Sequence, residues 1–179
     1  MRKLMTVACI LALCAASAMA AENGQYPKAE IFGGYQYSHL EGGFNANGFD
    51  FAVNGNFNNY FGVTADFGAA FNSQSDPISG GSISLRNYTY TFGPQLSLRA
   101  NKAYTPFVHV LIGGDRASAS ESGVSLSSSG LAMLAGGGAD FNFSQHMAFR
   151  GGADWMLLHS NGTSSSKNVR MLMGIVFRY

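Results

Sequence analysis

His159 and Ser160 stand side by side with Asn161 behind them, and a histidine next to a serine is the raw material of a hydrolytic base and nucleophile. A base must come within about 3 Å of the hydroxyl it activates. Neighbours in an extended chain point to opposite faces, so these two are expected as polar rim residues at a loop entrance and not as a dyad. His39, His109 and His146 fall in separate segments without metal-ligand spacing, and are expected as polar interior or rim residues. The run Gly136 to Gly138 has no helix after it whose N-terminus could receive an anion. Both cysteines, Cys9 and Cys14, lie in the first 20 residues, so no disulfide or thiolate site is expected beyond them. No catalytic residue is assigned, and neither a cofactor nor a metal is expected.

The remaining chemistry lies in single charges set among apolar neighbours: Glu30, Asp66, Asp140, Arg150, Asp154, Arg170 and Arg178. Asp140 and Arg150 flank the short turn Ser144 to His146 almost symmetrically, and Asp154 and Arg170 flank the last loop. Glu30 meets Arg178 if the first and last strands pair. Charges withdrawn from water need opposite partners and hydrogen bonds to offset desolvation. The expectation is three opposite-charge pairs, with Asp66 on the same inward side, in the lumen of a closed sheet. An ion path lined by the same groups is the functional alternative.

Period-2 alternation supplies the elements that would carry these charges. The last strand places Val169, Met171, Met173, Ile175, Phe177 and Tyr179 on one face and Arg170, Leu172, Gly174, Val176 and Arg178 on the other. Seven further strands are expected at Ala29 to His39, Phe49 to Phe57, Tyr60 to Phe71, Ile83 to Leu98, Tyr104 to Gly114, Gly130 to Phe143 and Met147 to Leu158. Long polar connections, Glu41 to Gly48, Asn72 to Ser82, Asp115 to Ser129 and His159 to Lys167, alternate with short turns. That is the asymmetry of an up-and-down membrane barrel, with short periplasmic turns and longer outer loops. An eight-stranded barrel is just wide enough inside for its own side chains, so a packed polar core is expected. Glycines such as Gly136 and Gly138 would leave room for larger side chains across it. Tyr35, Tyr37, Phe49, Phe71, Tyr88, Trp155, Phe177 and Tyr179 fall near strand ends, where interfacial aromatic girdles sit.

Composition agrees with this picture. Charged residues are 12 % of the chain, about half the ~25 % usual in soluble domains, while glycines number 23. Residues 1–20 read as a signal peptide: Arg2 and Lys3, an apolar Leu4 to Ala16, and small residues before a cleavage between Ala20 and Ala21. Its apolar run is shorter than the roughly 18 residues of a spanning helix. Without Arg2 and Lys3, 9 of the 11 basic residues remain against 10 acidic ones, a net charge of −1. No basic field exists to attract nucleic acid. The expected organisation is a signal peptide at 1–20, a short periplasmic segment at 21–27 and a barrel at 28–179.

The ending Gly174, Ile175, Val176, Phe177, Arg178, Tyr179 resembles the C-terminal assembly signal of outer-membrane barrels, with Gly174, Phe177 and Tyr179 as its key residues. The chain from Lys28 to Tyr179 resembles the small eight-stranded outer membrane β-barrel family, often labelled porin-like and akin to the OmpA-type transmembrane domain. Leu172 departs from the polar residue usual before the motif glycine, and Tyr179 stands where Phe is commoner. The resemblance implies a bacterial outer-membrane location, contact with outer-membrane lipid, and recognition by the barrel-assembly machinery. Lipid A deacylase barrels carry an H-x-S-N pattern, which Leu158, His159, Ser160 and Asn161 approach without the spacer. The expected fold is all-β, an eight-stranded antiparallel up-and-down transmembrane barrel. The expected role is structural or interactive, through outer loops open to an extracellular ligand. A narrow pore is the alternative, and a lipid-modifying enzyme a third.

Overall fold

The structure is a computed structural model that describes residues 26–41, 43–75, 82–121, 124–160 and 162–179. The expected signal peptide, its cleavage between Ala20 and Ala21, and residues 21–25 lie outside the described residues. Eight strands follow in order: β1 (Ala29–Leu40), β2 (Phe44–Asn56), β3 (Phe61–Ser75), β4 (Ser82–Ser97), β5 (Tyr104–Glu121), β6 (Val124–Asn142), β7 (Met147–Ser160) and β8 (Thr163–Arg178). Each pairs antiparallel with the next, and β8 returns to β1 to close the barrel. Closure gives every strand two hydrogen-bonded neighbours, which hydrocarbon demands because it offers no partner to a free edge.

Alternation along each strand sorts the side chains. On β8, Met171 and Met173 are exposed while Arg170, Leu172 and Val176 are buried. On β4 and β5, Phe92, Leu96, Val108 and Val110 are exposed, Phe92 at 62 %, and Thr91, Gln95 and His109 are buried. A soluble barrel would have to do the reverse; here the apolar wall is what lipid solvates. The seam runs from Glu30 opposite Arg178 to His39 opposite Val169. Beyond it, the Lys28 amide donates to the Tyr179 carbonyl at 2.6 Å and the Tyr179 amide to Ala29 at 2.9 Å.

Both ends of the described chain and the tight turns at residues 57–60, 98–103 and 143–146 share one rim. In the first of these, the Asn58 side-chain oxygen accepts from the Tyr60 and Phe61 amides at 2.8 and 2.7 Å. At the opposite rim the strands differ from the sequence expectation. Most of the four long connections is strand: β2 begins at Phe44, β3 and β4 pair out to Ser75 and Ser82, β5 and β6 to Glu121 and Val124, and β7 and β8 to Ser160 and Thr163. A ladder needs only backbone partners, so it continues above the membrane, where both faces are wet and apolar alternation disappears. Gly162 turns the last hairpin at φ 78°, a conformation that glycine takes without a Cβ clash.

The interior is not wholly polar. Phe32, Ala52, Ala148, Leu172 and Val176 form one buried apolar cluster, and Leu111, Ala132, Leu134 and Met156 another. On β8 the first patch falls between the inward Arg170 and Arg178, and on β7 Met156 of the second lies on the outer side of Asp154. The Arg150 guanidinium lies 4.4 Å from the centre of the Phe107 ring, so the same rings that pack the lumen also stabilise its cations.

Candidate functional site

Two ion-pair clusters occupy the lumen. Toward the rim that holds the termini, Arg150 on β7 grips Asp140 on β6 in a fork, Nε to Oδ1 at 2.7 Å and Nη2 to Oδ2 at 2.9 Å. Arg178 on β8 reaches the same Asp140 at 2.7 Å and Glu30 on β1 at 3.2 Å. Arg99, from the turn after β4, donates to Glu30 at 3.1 Å and to the Asn56 side chain at 3.0 Å. Three guanidinium groups thus share two carboxylates, with the Asn54 amide on Glu30 at 3.3 Å.

The second cluster centres on Arg170 of β8, whose side chain is 0 % exposed. Its Nη1 bonds Asp50 on β2 at 2.7 Å and Asp66 on β3 at 2.9 Å, and its Nη2 bonds Asp154 on β7 at 2.5 Å. His109 Nε2 on β5 lies 2.8 Å from the other oxygen of Asp154. Three strands thus converge on one cation carried by a fourth, with His109 of a fifth behind Asp154. Losing one partner of such a buried set costs about 3–5 kcal/mol, because the other is left charged and dry.

Small residues make the space. A Cβ on Gly136 would lie 2.1 Å from Asp154 Oδ1, and one on Gly68 would lie 3.2 Å from Arg170 Nη1 and 2.5 Å from Gln36 Oε1. Several oxygens in the same half have no protein partner: Gln36 Oε1, Asp50 Oδ1, Asn87 Oδ1, Thr89 Oγ1 and Asp115 Oδ1.

A sequence model of the outer membrane protein beta-barrel domain matches residues 5–170. The chain belongs to that family. It is a bacterial outer-membrane barrel, which orients the rim with the termini and tight turns toward the periplasm and the long hairpins outward. Among solved structures, Ail, the attachment invasion locus protein of Yersinia pestis, is similar with a TM-score of 0.63 and 20% identity, covering 87% of this chain and 100% of its own. Neisserial surface protein A has a TM-score of 0.63 and 12% identity, covering 84% of this chain and 96% of its own. The outer membrane protein OprG from Pseudomonas aeruginosa has a TM-score of 0.58 and 12% identity, covering 87% of this chain and 97% of its own. No curated protein sequence matches the chain.

Within this outer-membrane barrel the sequence-selected charges fall as follows. Asp140 with Arg150, Asp154 with Arg170, and Glu30 with Arg178 are cross-strand neighbours in register, and each is an ion pair. Asp66 joins Arg170. Sequence reasoning missed Asp50 and Asp115, although parity with Ala52 on β2 and His109 on β5 places them inward. It also missed Arg99, for which no strand pattern exists because the residue reaches in from a turn. Gly174 faces Gly34 across the seam, Phe177 is half exposed on the outer wall, and Tyr179 ends the chain at the periplasmic rim.

His159 and Ser160 do not meet. His159 Nδ1 bonds Ser164 Oγ at 2.7 Å, and Ser160 Oγ bonds Ser128 Oγ at 2.6 Å. His39 bonds Asn45 at 2.6 Å. Among the described residues the histidine with an acidic partner is His109, and that carboxylate is already held by Arg170. Of the aromatic residues expected in girdles, Tyr35, Phe49, Phe71, Trp155, Phe177 and Tyr179 are exposed on the outside.

Proposed function

We propose that this is a non-enzymatic barrel, closed to solutes, that acts through the polar hairpins it raises above the outer surface toward an extracellular ligand. The observation that carries this reading is Arg170: a wholly buried cation held from β2, β3 and β7 leaves an eight-stranded lumen little room for a path. The working surface is then outside. From Asp115 opposite Gly130 to Glu121 opposite Val124, the β5 and β6 hairpin rises six further residues, roughly 20 Å at the rise of a strand. Its two strands carry Ser118, Ser127, Ser128 and Ser129, hydroxyls suited to a polar ligand. Ail of Yersinia pestis, 21% identical, has been solved in complex with the heparin analogue sucrose octasulfate, and that precedent supports testing a sulfated glycan here. Recognition of Gly174, Phe177 and Tyr179 by the barrel-assembly machinery, and removal of residues 1–20, belong to the same reading.

The test combines two measurements on the refolded barrel. In planar bilayers it should show no steady conductance step, and its binding to immobilised heparin should fall at least fivefold when residues 117–128 are replaced by a two-residue turn. A steady step in the native barrel overturns the closed reading; heparin binding that is absent, or indifferent to the replacement, overturns this hairpin and ligand class. The narrow-pore reading draws on the unpartnered oxygens of Gln36, Asn87, Thr89 and Asp115, which call for water in the outer half of the lumen.

A further inference from the structure

The outer wall sorts its charges by sign. Glu30, Asp50, Asp66, Asp115, Asp140 and Asp154 all point into the lumen and are buried. On the outward face of the described strands, the charged side chains near the outer rim are Arg86 on β4, Arg116 on β5 and Lys167 on β8, all exposed. We propose that Arg86 and Arg116 form a docking site on the barrel wall for the phosphate groups of the glycolipid of the outer leaflet.

Up the outward face of β4 the residues run Leu96, Pro94, Phe92, Tyr90, Tyr88, then Arg86; up β5 they run Val108, Val110, Ile112, Gly114, then Arg116. The Tyr90 ring lies over Gly114, where a Cβ would come within 2.6 Å of its ring carbons and hydroxyl. Tyr88 stands edge-on to the outward Phe71 at 6.1 Å. Tyrosines of this kind mark the interface, so Arg116, level with Tyr88, and Arg86, one step above it, stand at the level of headgroups and not of acyl chains. Their aliphatic stems can lie along the apolar wall while the guanidinium groups face the polar layer.

Tyr88 is opposite Arg116 and Arg86 is opposite Ser118, so the two arginines are diagonal neighbours on one face, their Cα atoms roughly 7–8 Å apart. Among the described residues neither has a hydrogen-bond or ion-pair partner. Two unneutralised cations this close repel each other, and an anion between them removes the repulsion. Guanidinium groups bind phosphate by two parallel N–H donors, which a tetrahedral headgroup phosphate can accept from both sides. The acyl chains of the same molecule would lie against Tyr90, Phe92 and Ile112 directly below, and this continuity of anion site and apolar wall selects a lipid over a soluble polyanion.

The proposal rests on the outer-membrane location and not on ligand binding by the hairpins. The barrel is produced into the outer membrane, extracted in mild detergent, and its retained glycolipid counted by native mass spectrometry. R86Q/R116Q is expected to retain at least fivefold less than the native chain, while K102Q, at the periplasmic rim, retains as much. Refolded native barrel offered enzymatically dephosphorylated glycolipid should show the same loss, an arm that needs no variant. Folding of each variant is checked by the gel shift between unboiled and boiled samples. Unchanged retention in R86Q/R116Q, or equal retention of the dephosphorylated lipid, overturns the site. Displacement of the lipid by millimolar inorganic phosphate alone also overturns it, because an anion without acyl chains would then suffice.

Discussion

Arg170 and Asp50 are 120 residues apart in the chain and 2.7 Å apart in the lumen, joined across the interposed strand β1. Their contact binds the beginning of the barrel to its end at a point where β8 and β2 share no backbone hydrogen bonds. The ion pair therefore reports closure of the whole sheet and not the formation of one hairpin.

Substituting Arg170 with methionine leaves Asp50, Asp66 and Asp154 in one dry space without their shared cation. R170M should lose about 3–5 kcal/mol of unfolding free energy, read as a lower urea midpoint in lipid vesicles. Adding D50N to R170M should recover part of the loss, since one fewer carboxylate then needs a partner. A midpoint unchanged by R170M would mean that the cluster does not hold the barrel shut.

Gly136 and Gly151 lie on neighbouring strands but should respond in opposite ways. A Cβ on Gly136 meets the Ala153 carbonyl at 2.4 Å as well as the Asp154 carboxylate, so backbone has to move, whereas one on Gly151 meets nothing within 4 Å. G136A should cost about 1–3 kcal/mol as overpacking and loosen the His109 and Asp154 contact. G151A, on the lipid side, should stay within about 0.5 kcal/mol of the native chain. Parallel urea titrations of the two variants check the contrast.

H159A and S160A should leave the acyl pattern of outer-membrane lipid A unchanged in cells that express them. Each residue spends its hydrogen bond on another partner, Ser164 and Ser128 respectively, so no proton relay joins them. The measurement is mass spectrometry of extracted lipid A from cells with the native chain, each variant, and no barrel. Acyl loss with the native chain that vanishes in either variant would establish an enzyme.

Phe177 is half exposed to lipid opposite Ile31 and Met147, and packs nothing in the lumen. F177A should refold in detergent with a gel shift like the native chain, yet accumulate the heat-modifiable form severalfold more slowly in cells. Pulse labelling separates the two. Equal rates in cells would remove Phe177 from the assembly signal.

Strand number, the direction each strand faces, and the lipid-facing wall were legible in the amino-acid order, because period-2 alternation is local and each strand states it independently. The charges flanking one turn, Asp140 with Arg150 and Asp154 with Arg170, were legible for the same reason: a hairpin pairs residues equidistant from its turn. The outer hairpins were underestimated, since hydrophobic alternation ends where lipid ends while the backbone ladder does not.

What only the tertiary structure decided is which charges meet across the lumen. Arg170 reaches Asp50 and Asp66, and Arg99 reaches Glu30, because closure staggers the strands and brings residues from distant hairpins to one level. That stagger belongs to the sheet as a whole. Alternation assigns a residue its face, and only the register of the closed barrel assigns its height and therefore its partner.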